Sequence, residues 1–288
     1  MNIEVKGHSG CQIDVVPEGQ DIYVYKSTAD PKYLNRLLLQ AEKQKAAGSV
    51  AYQHIRVPEI FDIVKDQDKT VIKMQYVYSK NFIEFFEQAG FEQIDYLIGA
   101  LKYFLEYEIA QCHIESVAAS VFQAKFDEVK GKTEVNPLCK NDTEIREILE
   151  NASKVFYAID SLQIPVGLCH GDLTFSNVLF NGNNYYLIDF LDSFVETPLQ
   201  DIVKIRQDTR YYWSQLMYTK PYDAVRLRIV CDKIDREIDA YFNEKYQWYS
   251  DNYKTMQLMN ILRILPYVHE KKVVEYLKNI LKNLLHEI

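Results

Sequence analysis

Glycine, proline and cysteine are scarce in this chain, and their scarcity excludes several protein classes. The 288 residues include 10 glycines and 8 prolines, too few for a collagen-like or low-complexity chain. The 5 cysteines form no CxxC pair and are odd in number, which favours reduced thiols over a disulfide framework. The 6 histidines form no HxxxH or HxH set, so a zinc site is not expected. No apolar run approaches the roughly 18 uncharged residues of a membrane-spanning helix.

The charge balance is acidic, with 33 basic against 41 acidic residues and a net charge of −8. A surface that binds nucleic acid or an anionic membrane needs a field of Lys and Arg, so neither partner is expected. The first residues lack the apolar segment of a signal peptide, and we expect a soluble cytoplasmic protein. The hydrophobic content of 48% is enough for the core of one large domain or of two lobes. The oligomeric state is not indicated by the sequence.

The first third of the chain has the pattern of a small sheet with one helix. Short stretches rich in Val, Ile and Tyr predict strands at 13–16, 21–25 and 70–77. Asp30 followed by Pro31 predicts the start of a helix, because proline suits the first helical position and the apolar residues that follow recur at helical spacing.

Long amphipathic helices are predicted after the third strand. One apolar face runs over residues 94–105 and another over 145–159. The segment 178–188 predicts a hairpin instead, since Asn181-Gly182 lies between two apolar runs. The predicted fold class is therefore α+β, with a strand-rich first part and a mainly helical remainder.

Polar residues frame the predicted hairpin at both ends. Asp172 lies on the loop before it, Asn177 at the start of its first strand, and Asp189 where its second strand ends. Carboxylate and amide oxygens suit Mg²⁺, which completes its shell with water and phosphate. Asp172 is suited to accepting a proton from a hydroxyl. An Asx-turn and a strand cap are the alternative for Asp172 and Asn177. Asp189 fits that alternative less well, because its apolar neighbours make an unpaired carboxylate costly to desolvate.

The string HGDLTFSNVLF at 170–180, followed by LIDF at 187–190, resembles the signature of the aminoglycoside phosphotransferase and choline kinase superfamily. That signature is HGD, four residues, N, and then I-D-F or I-D-W. The resemblance implies a two-lobed protein-kinase-like α+β fold. Its nucleotide-binding lobe would span 1–77, and its helical lobe, with the catalytic hairpin and the acceptor site, would span 78–288. The resemblance also implies ATP and Mg²⁺ as cofactors, and a structural role for His170 as a brace of the catalytic loop.

A lysine at a strand end and an acidic residue on the following helix are also implied. Lys26 ends the second predicted strand, and Glu42 lies sixteen residues further on. In this family the lysine contacts the α and β phosphates of ATP, and the glutamate holds it in place. A surface lysine and a solvated glutamate are the alternative. The turn 7–10, with the hydroxyl of Ser9, resembles the nucleotide loop of the family, and a simple hairpin turn fits it equally well.

Further positions follow from the same resemblance. Met74 would back the adenine pocket, and the backbone from Gln75 to Val77 would hydrogen-bond the adenine edge. Asp201 would support the catalytic loop through its backbone. Asp192 either joins the metal shell or faces solvent.

The acceptor is expected next to Asp172, against the helical lobe. Aromatic faces and carboxylates would hold a cationic amine, whereas arginines favour a phosphate or carboxylate group. Core packing of the aromatic residues and ordinary salt bridges of the arginines are the alternatives. The acceptor class stays open between an amino alcohol, an aminoglycoside and a sugar-like molecule. The candidate contact residues are Asp192, Asp208, Tyr212, Trp213 and Arg263.

The predicted function is ATP-dependent transfer of the γ-phosphate to a hydroxyl of a small molecule. Asp172 would orient and deprotonate the hydroxyl, and Lys26 would neutralise phosphate charge. Asn177 and Asp189 would hold Mg²⁺, so that catalysis rests on positioning and electrostatics. A catalytically silent nucleotide-binding protein of the same fold is one alternative. A protein kinase is the other, but only eleven residues separate Asp189 from Asp201, which leaves little room for a peptide-binding activation segment.

Overall fold

The computed structural model describes residues 11–288 and confirms the α+β class, with strands prevailing before residue 76 and helices afterwards. The strands are β1 (Gln12–Glu18), β2 (Asp21–Thr28), β3 (Ile55–Arg56), β4 (Ile60–Lys65), β5 (Thr70–Gln75), β6 (His113–Ala118), β7 (Ser161–Val166), β8 (Val178–Asn181) and β9 (Asn184–Leu187). The helices are α1 (Leu34–Gly48), α2 (Phe82–Gln88), α3 (Phe91–Ala110), α4 (Ala119–Val135), α5 (Thr143–Ala158), α6 (Pro198–Thr209), α7 (Trp213–Leu216), α8 (Ala224–Lys245), α9 (Gln247–Leu262) and α10 (Lys271–Glu287).

Two compact units divide the chain. Among the described residues, the first unit comprises 11–104 together with 170–192, and the second comprises 105–169 together with 193–288. The predicted catalytic hairpin therefore belongs to the same compact unit as the N-terminal sheet. The lobe boundary near residue 77, which was inferred from the family resemblance, stays a prediction.

A four-stranded antiparallel sheet in the order β1-β2-β5-β4 forms the base of the first unit. Side chains alternate between the two faces of a sheet, so residues two apart on a strand share a face. On β2, Val24 and Lys26 lie opposite Met74 and Ile72 of β5. This face packs against α1, and the buried apolar cluster between them consists of Leu37, Ala41, Ile60, Ile72 and Met74. Lys26 thus lies at the edge of an apolar core.

Helix α1 begins later than the sequence pattern predicts. Its first residue is Leu34, whereas Pro31 was predicted to open the helix. Asp30 caps the preceding turn: its carboxylate accepts the N–H of Lys32 at 2.9 Å, and its carbonyl accepts the N–H of Leu34 at 3.1 Å. The Asp-Pro pair therefore marks the approach to the helix and not its first turn.

The predicted hairpin is confirmed as β8 and β9, which pair antiparallel through a turn in which Gly182 has a positive φ of 57°. Two-residue turns of this kind need positive φ values that glycine adopts without strain. Strand β3, too short to be visible in the sequence pattern, pairs in parallel with β9. Phe180 of β8 stacks on Phe85 of α2 with ring centroids 4.5 Å apart. The hairpin is thereby packed into the first unit.

The second unit is mainly helical. The apolar face predicted at 145–159 is confirmed as the buried stripe of α5. Strand β6 pairs antiparallel with β7 in a two-stranded sheet that the sequence pattern did not predict. Nearly every residue of β6 is exposed, so the strand shows no alternation between apolar and polar residues. In residues 11–288 no helix combines the length and apolar character needed to cross a bilayer.

Candidate active site

His170 lies fully buried at the start of the candidate catalytic loop. Its Nδ1 accepts the N–H of Asp172 at 3.2 Å, and its Nε2 lies 3.0 Å from the carbonyl oxygen of Ile188. These partners assign the ring proton to Nε2, which donates to Ile188. Burial disfavours the charged imidazolium and lowers the pKa of His170 to about 4. The neutral ring ties the backbone before Asp172 to the end of the hairpin, which supports its predicted bracing role.

Gly171 occupies a position that no other residue fits. Its φ is +89°, and a Cβ atom there would lie 2.1 Å from the carbonyl oxygen of Leu191. The N–H of Leu191 donates to the carbonyl of His170 at 2.9 Å, so the loop and the segment after Asp189 are in backbone contact. The same Leu191 carbonyl accepts Nζ of Lys43 at 2.7 Å. This close approach gives a physical reason for the glycine between His170 and Asp172.

Asn177 contacts Asp172 directly. Its Nδ2 donates to the Asp172 carbonyl at 2.8 Å and to the Asp172 carboxylate at 3.1 Å. Because the amide nitrogen is engaged by Asp172, the Oδ1 oxygen remains as the ligand atom that this side chain offers to a cation. The Asn177 carbonyl accepts the N–H of Ile188 at 3.0 Å, which links Asn177 to the residue before Asp189.

Asp189 has a left-handed backbone, with φ at 61°. Such a conformation is uncommon for a residue other than glycine and clusters at functional sites. Its Oδ1 lies 2.6 Å from Nζ of Lys26, and the side chain of Lys26 is only 7% exposed against 36% for Asp189. The structure therefore pairs Asn177 with Asp172 before the hairpin and Lys26 with Asp189 after it, while the catalytic roles of these four residues stay predictions.

The predicted pair of Lys26 and Glu42 is wrong. Glu42 lies on the exposed face of α1, while the hydrogen bond from Lys26 goes to Asp189. The buried stripe of α1 includes Gln40, and Glu42 lies about 200° further round the helix. Gln40 lines a small cavity together with Lys26 and Asp189. The helical spacing of the apolar residues in α1 places Gln40 on the buried face, whereas Glu42 followed from the family resemblance, which implies an acidic residue on this helix.

Two of the predicted adenine contacts lie at the end of β5. Met74 is buried in the core cluster, and the N–H of Gln75 donates to the carbonyl of Glu59 at 2.8 Å. The N–H of Gln75 is therefore already engaged, whereas among residues 11–288 the N–H of Val77 has no backbone acceptor. Ser9 lies outside the described residues.

Two of the predicted acceptor contacts, Asp208 and Tyr212, have local structural roles. Asp208 is buried, and its Oδ1 accepts the N–H of Ser214 at 3.0 Å and the Ser214 hydroxyl at 2.7 Å. Tyr212 has a left-handed backbone at the start of α7 and donates its hydroxyl to Asp232. Trp213 is the first residue of α7. The side chains of Asp208 and Tyr212 order the connection between α6 and α8, and an acceptor contact of Trp213 stays a prediction.

The last three predicted residues, Asp192, Arg263 and Asp201, differ in their burial and contacts. Asp192 is exposed. The guanidinium of Arg263 lies 5.4 Å from the ring centroid of Phe194, at cation–π distance. Asp201 is fully buried in the first turn of α6, which Thr197 caps by accepting the N–H of Leu199.

The protein would supply few of the ligands of a magnesium ion bound at these residues. In the part of the chain that the structure describes, no group of three or more His, Cys, Asp or Glu side chains is placed to hold a metal. Asn177 and Asp189 offer one amide oxygen and one carboxylate. Mg²⁺ is commonly bound by one or two such groups together with substrate phosphates and water, so the donor set fits a magnesium nucleotide.

The chain is similar in fold to several solved kinases. With a thermostable mutant of aminoglycoside phosphotransferase APH(4)-Ia, bound to AMP-PNP and hygromycin B, the TM-score is 0.60 at 10% identity, over 99% of this chain and 93% of the other. With the GDP and kanamycin complex of another APH enzyme the TM-score is 0.60 at 16% identity, over 99% and 94%. With a choline/ethanolamine kinase family protein from Mesorhizobium loti it is 0.54 at 15% identity, over 97% and 87%. The predicted kinase-like fold is thereby confirmed.

No curated protein matches the sequence, whereas a family model does. The model of the phosphotransferase enzyme family, APH, matches residues 90–247, which is more than half of the 288 residues and includes the whole of the catalytic loop and hairpin. The resemblance seen at residues 170–190 is confirmed, and the chain belongs to the phosphotransferase enzyme family.

Proposed function

We propose that this protein transfers the γ-phosphate of ATP to a hydroxyl group of a small molecule. Membership of the family makes it a small-molecule phosphotransferase. The observation that carries the more specific proposal is the contact of Asn177 with the Asp172 carboxylate, 3.1 Å long, in a unit where Lys26 also reaches Asp189. These four side chains are those that a kinase reaction uses: a carboxylate for the hydroxyl, two oxygen ligands for a cation, and an ammonium for phosphate.

Asp172 would orient the acceptor hydroxyl and take its proton. Its backbone N–H is held by His170 and its carboxylate by Asn177, so the side chain is fixed before substrate arrives. In the reaction the acceptor oxygen forms a bond to the γ-phosphorus, the bond from that phosphorus to the bridging oxygen breaks, and the hydroxyl proton passes to Asp172. Such transfers gain mainly from positioning and electrostatic stabilisation.

Asn177 and Asp189 would hold Mg²⁺, and Lys26 would bind the phosphates. When bound, the metal neutralises charge on the phosphate oxygens. Lys26 is suited to the same charge, because its ammonium is nearly buried and is already paired with an anionic group. The left-handed backbone of Asp189 directs its carboxylate toward Lys26 at 2.6 Å.

The acceptor class remains an amino alcohol, an aminoglycoside or a sugar-like molecule. Asp208 and Tyr212 are engaged in ordering α7, so we no longer place them in the acceptor site. Asp192, which is exposed and lies three residues after Asp189, and Arg263, beside the ring of Phe194, are the residues we propose for acceptor contacts. A carboxylate would select an amino group, and a guanidinium would select an anionic group.

The test is phosphoryl transfer to a panel of aminoglycosides, amino alcohols and sugars with ATP and Mg²⁺. Release of ADP and the ³¹P signal of the product would be measured together. The Asp172→Asn variant is expected to lose about 10²- to 10⁴-fold in rate, since a positioned base contributes that much, and to retain nucleotide binding. The matched control is Asp251→Asn, an exposed carboxylate that accepts a hydrogen bond from the side chain of Gln247 in α9, which should leave the rate unchanged.

Two results would contradict the proposal. Equal rates for the wild type and Asp172→Asn would remove Asp172 from the reaction. Nucleotide binding without transfer to any acceptor in the panel would favour the alternative of a catalytically silent nucleotide-binding protein.

A further inference from the structure

Asp189 has two roles that compete with each other. It is the candidate metal ligand of the proposed function, and it also forms the ion pair with Lys26 at 2.6 Å. Within residues 11–288, Asp189 supplies the one carboxylate that is hydrogen-bonded to Lys26. The same oxygen-bearing group thus serves both the buried ammonium and the cation that the nucleotide would bring.

Helix α1 provides no second carboxylate for Lys26. Its buried stripe carries the neutral amides of Gln40 and Gln44, and the nearby carboxylate of Glu42 is on the exposed face. Gln44 donates its amide to the carbonyl of Pro58 at 3.1 Å. Gln40 is 7% exposed and lines the cavity that Lys26 and Asp189 share. A carboxylate at position 40 would be placed to pair with Lys26, whereas the amide present there cannot neutralise it.

Binding of metal alone or of nucleotide alone would break the Lys26–Asp189 ion pair at an unfavourable free energy. A metal ion that binds Asp189 without nucleotide would leave the Lys26 ammonium, with its side chain 7% exposed, without a counter-charge. A nucleotide that binds Lys26 without metal would leave Asp189 facing phosphate charge. When both arrive, phosphate replaces Asp189 at Lys26, and the metal replaces Lys26 at Asp189, so that every charge keeps a partner.

We propose that the Lys26–Asp189 ion pair is a latch that metal and nucleotide open together, and that the neutral side chain of Gln40 makes this latch possible. The inference rests on the proposed function and specifies how its cofactors bind. Metal affinity should be weak in the absence of nucleotide and stronger in its presence. Because linkage is reciprocal, the metal should raise the affinity for nucleotide by the same factor.

Mn²⁺ binding, followed by the EPR signal of the free ion, tests the latch without any measurement of activity. The first variant, called the exchange, combines Gln40→Glu with Glu42→Gln. It moves a carboxylate to the buried face of α1, which lines the cavity with Lys26, and it leaves the net charge unchanged. The second variant, Lys26→Met, removes the latch from the other end. The control is Lys73→Met, which removes an equal charge from the opposite face of the sheet, where Lys73 pairs with Glu18.

Both latch variants are expected to bind Mn²⁺ about tenfold more tightly than the wild type without nucleotide, within the usual range of coupling between sites. Lys73→Met should bind Mn²⁺ as the wild type does. Lys26→Met removes the ammonium and the exchange offers it a competing carboxylate, so the two variants break the Lys26–Asp189 pair in different ways and agreement between them supports the latch. If the exchange does not fold, as judged by circular dichroism, Lys26→Met alone decides the outcome.

Wild-type affinity in Lys26→Met and in the exchange would overturn the latch and leave the proposed function intact. A different outcome concerns the proposed function itself. If equilibrium dialysis against Mn²⁺ and saturating ADP, which itself chelates Mn²⁺, leaves no excess of Mn²⁺ with the wild type, then Asn177 and Asp189 do not form a metal site, and both proposals fall. The two failures are therefore separated by one measurement on the wild type.

Discussion

The carbonyl oxygen of Leu191 lies 2.1 Å from the position that a Cβ atom would take on Gly171. This carbonyl also accepts Nζ of Lys43 from α1 at 2.7 Å, and the Leu191 N–H donates to the carbonyl of His170 at 2.9 Å. Leu191 is two residues from Asp189, and Gly171 is adjacent to Asp172. The positions of the two carboxylates are therefore linked through the backbone contact between Leu191 and the segment His170-Gly171.

Replacement of Gly171 by alanine should disrupt this contact. The methyl group would meet backbone atoms, and a φ of +89° is strained for alanine. We expect a loss of about 1–3 kcal/mol in the free energy of unfolding and a fall of about 10²-fold in phosphoryl transfer, because displacement of a reacting group by 1 Å has that effect. Thermal unfolding and kcat are the measurements.

Gly99 provides the matched control for Gly171. It lies exposed in the middle of α3, where a Cβ would meet nothing within 4 Å. Gly99→Ala should raise the free energy of unfolding by about 1 kcal/mol, the difference in helix propensity, and leave kcat unchanged. A Gly171→Ala protein with wild-type kcat and melting temperature would show that the contact with Leu191 does not constrain the loop.

The sequence predicted the part of the site that local chain geometry determines. Asp172, Asn177 and Asp189 are joined by a short loop and a hairpin, and Asn181-Gly182 predicts the turn of that hairpin. The spacing alone therefore predicts that the three side chains converge. The family resemblance carried by the same residues is confirmed by the family model.

The rest of the site depends on packing between distant segments. The family resemblance implies an acidic residue on α1 and so favours Glu42, yet the apolar stripe sets the rotation of α1 and places Gln40 on the buried face instead. From the sequence, Asp208 is a plausible acceptor contact. Only the fold shows that Ser214 lies within hydrogen-bonding distance of it. Strand β6 shows no alternation of apolar and polar residues in the sequence, since almost all of its residues are exposed.

A second prediction concerns the acid stability of the protein. Burial, which outweighs the opposing charge of Asp172, lowers the pKa of His170 from 6.5 to about 4 in the folded state. Between these values the unfolded chain binds a proton that the folded chain does not. The free energy of unfolding should therefore fall as the pH is lowered from 6.5 towards 4, by an amount on the order of 3 kcal/mol from this residue, and should be unaffected by it above that window.

His170→Asn removes the titrating group and should reduce the pH dependence of unfolding by up to about one proton between pH 4 and 6.5. The slope of the free energy of unfolding against pH is the measurement, because lost hydrogen bonds lower stability at every pH without changing that slope. His269→Asn, at an exposed position, is the control for replacing a histidine. An unchanged slope in His170→Asn would contradict the assignment of a neutral buried ring.

A third prediction concerns the buried arginine of α6. Arg206 is 1% exposed and makes a bidentate ion pair with Asp235, with Nε–Oδ1 at 2.9 Å and Nη2–Oδ2 at 3.0 Å. Its Nη1 donates to the hydroxyl of Tyr249 at 2.7 Å, and its guanidinium lies 4.3 Å from the ring centroid of Tyr253. This network joins α6, α8 and α9 within the second unit.

Arg206→Met should lower the free energy of unfolding by about 3–5 kcal/mol, because Asp235 would be left with an uncompensated charge. Arg206→Lys should recover little, since a lysine cannot reproduce the bidentate geometry. Arg210→Met breaks a pair with Glu287 in which both side chains are 37% exposed, and it should cost at most about 1 kcal/mol. Urea unfolding of the three variants is the measurement, and equal losses at positions 206 and 210 would contradict it.

The last prediction separates a structural carboxylate from an acceptor contact. Asp208 accepts two hydrogen bonds from Ser214 while buried, so Asp208→Ala leaves those donors unsatisfied and should lower the free energy of unfolding by about 1–3 kcal/mol. Its KM for the acceptor should not change, because the side chain orders α7. Arg263→Met should do the reverse for an acceptor with an anionic group, raising KM about tenfold or more through the loss of a charge-assisted hydrogen bond. Steady-state kinetics at a temperature where both variants are folded measures the difference. A raised acceptor KM in Asp208→Ala, with unfolding as in the wild type, would return Asp208 to the acceptor site and remove its structural role.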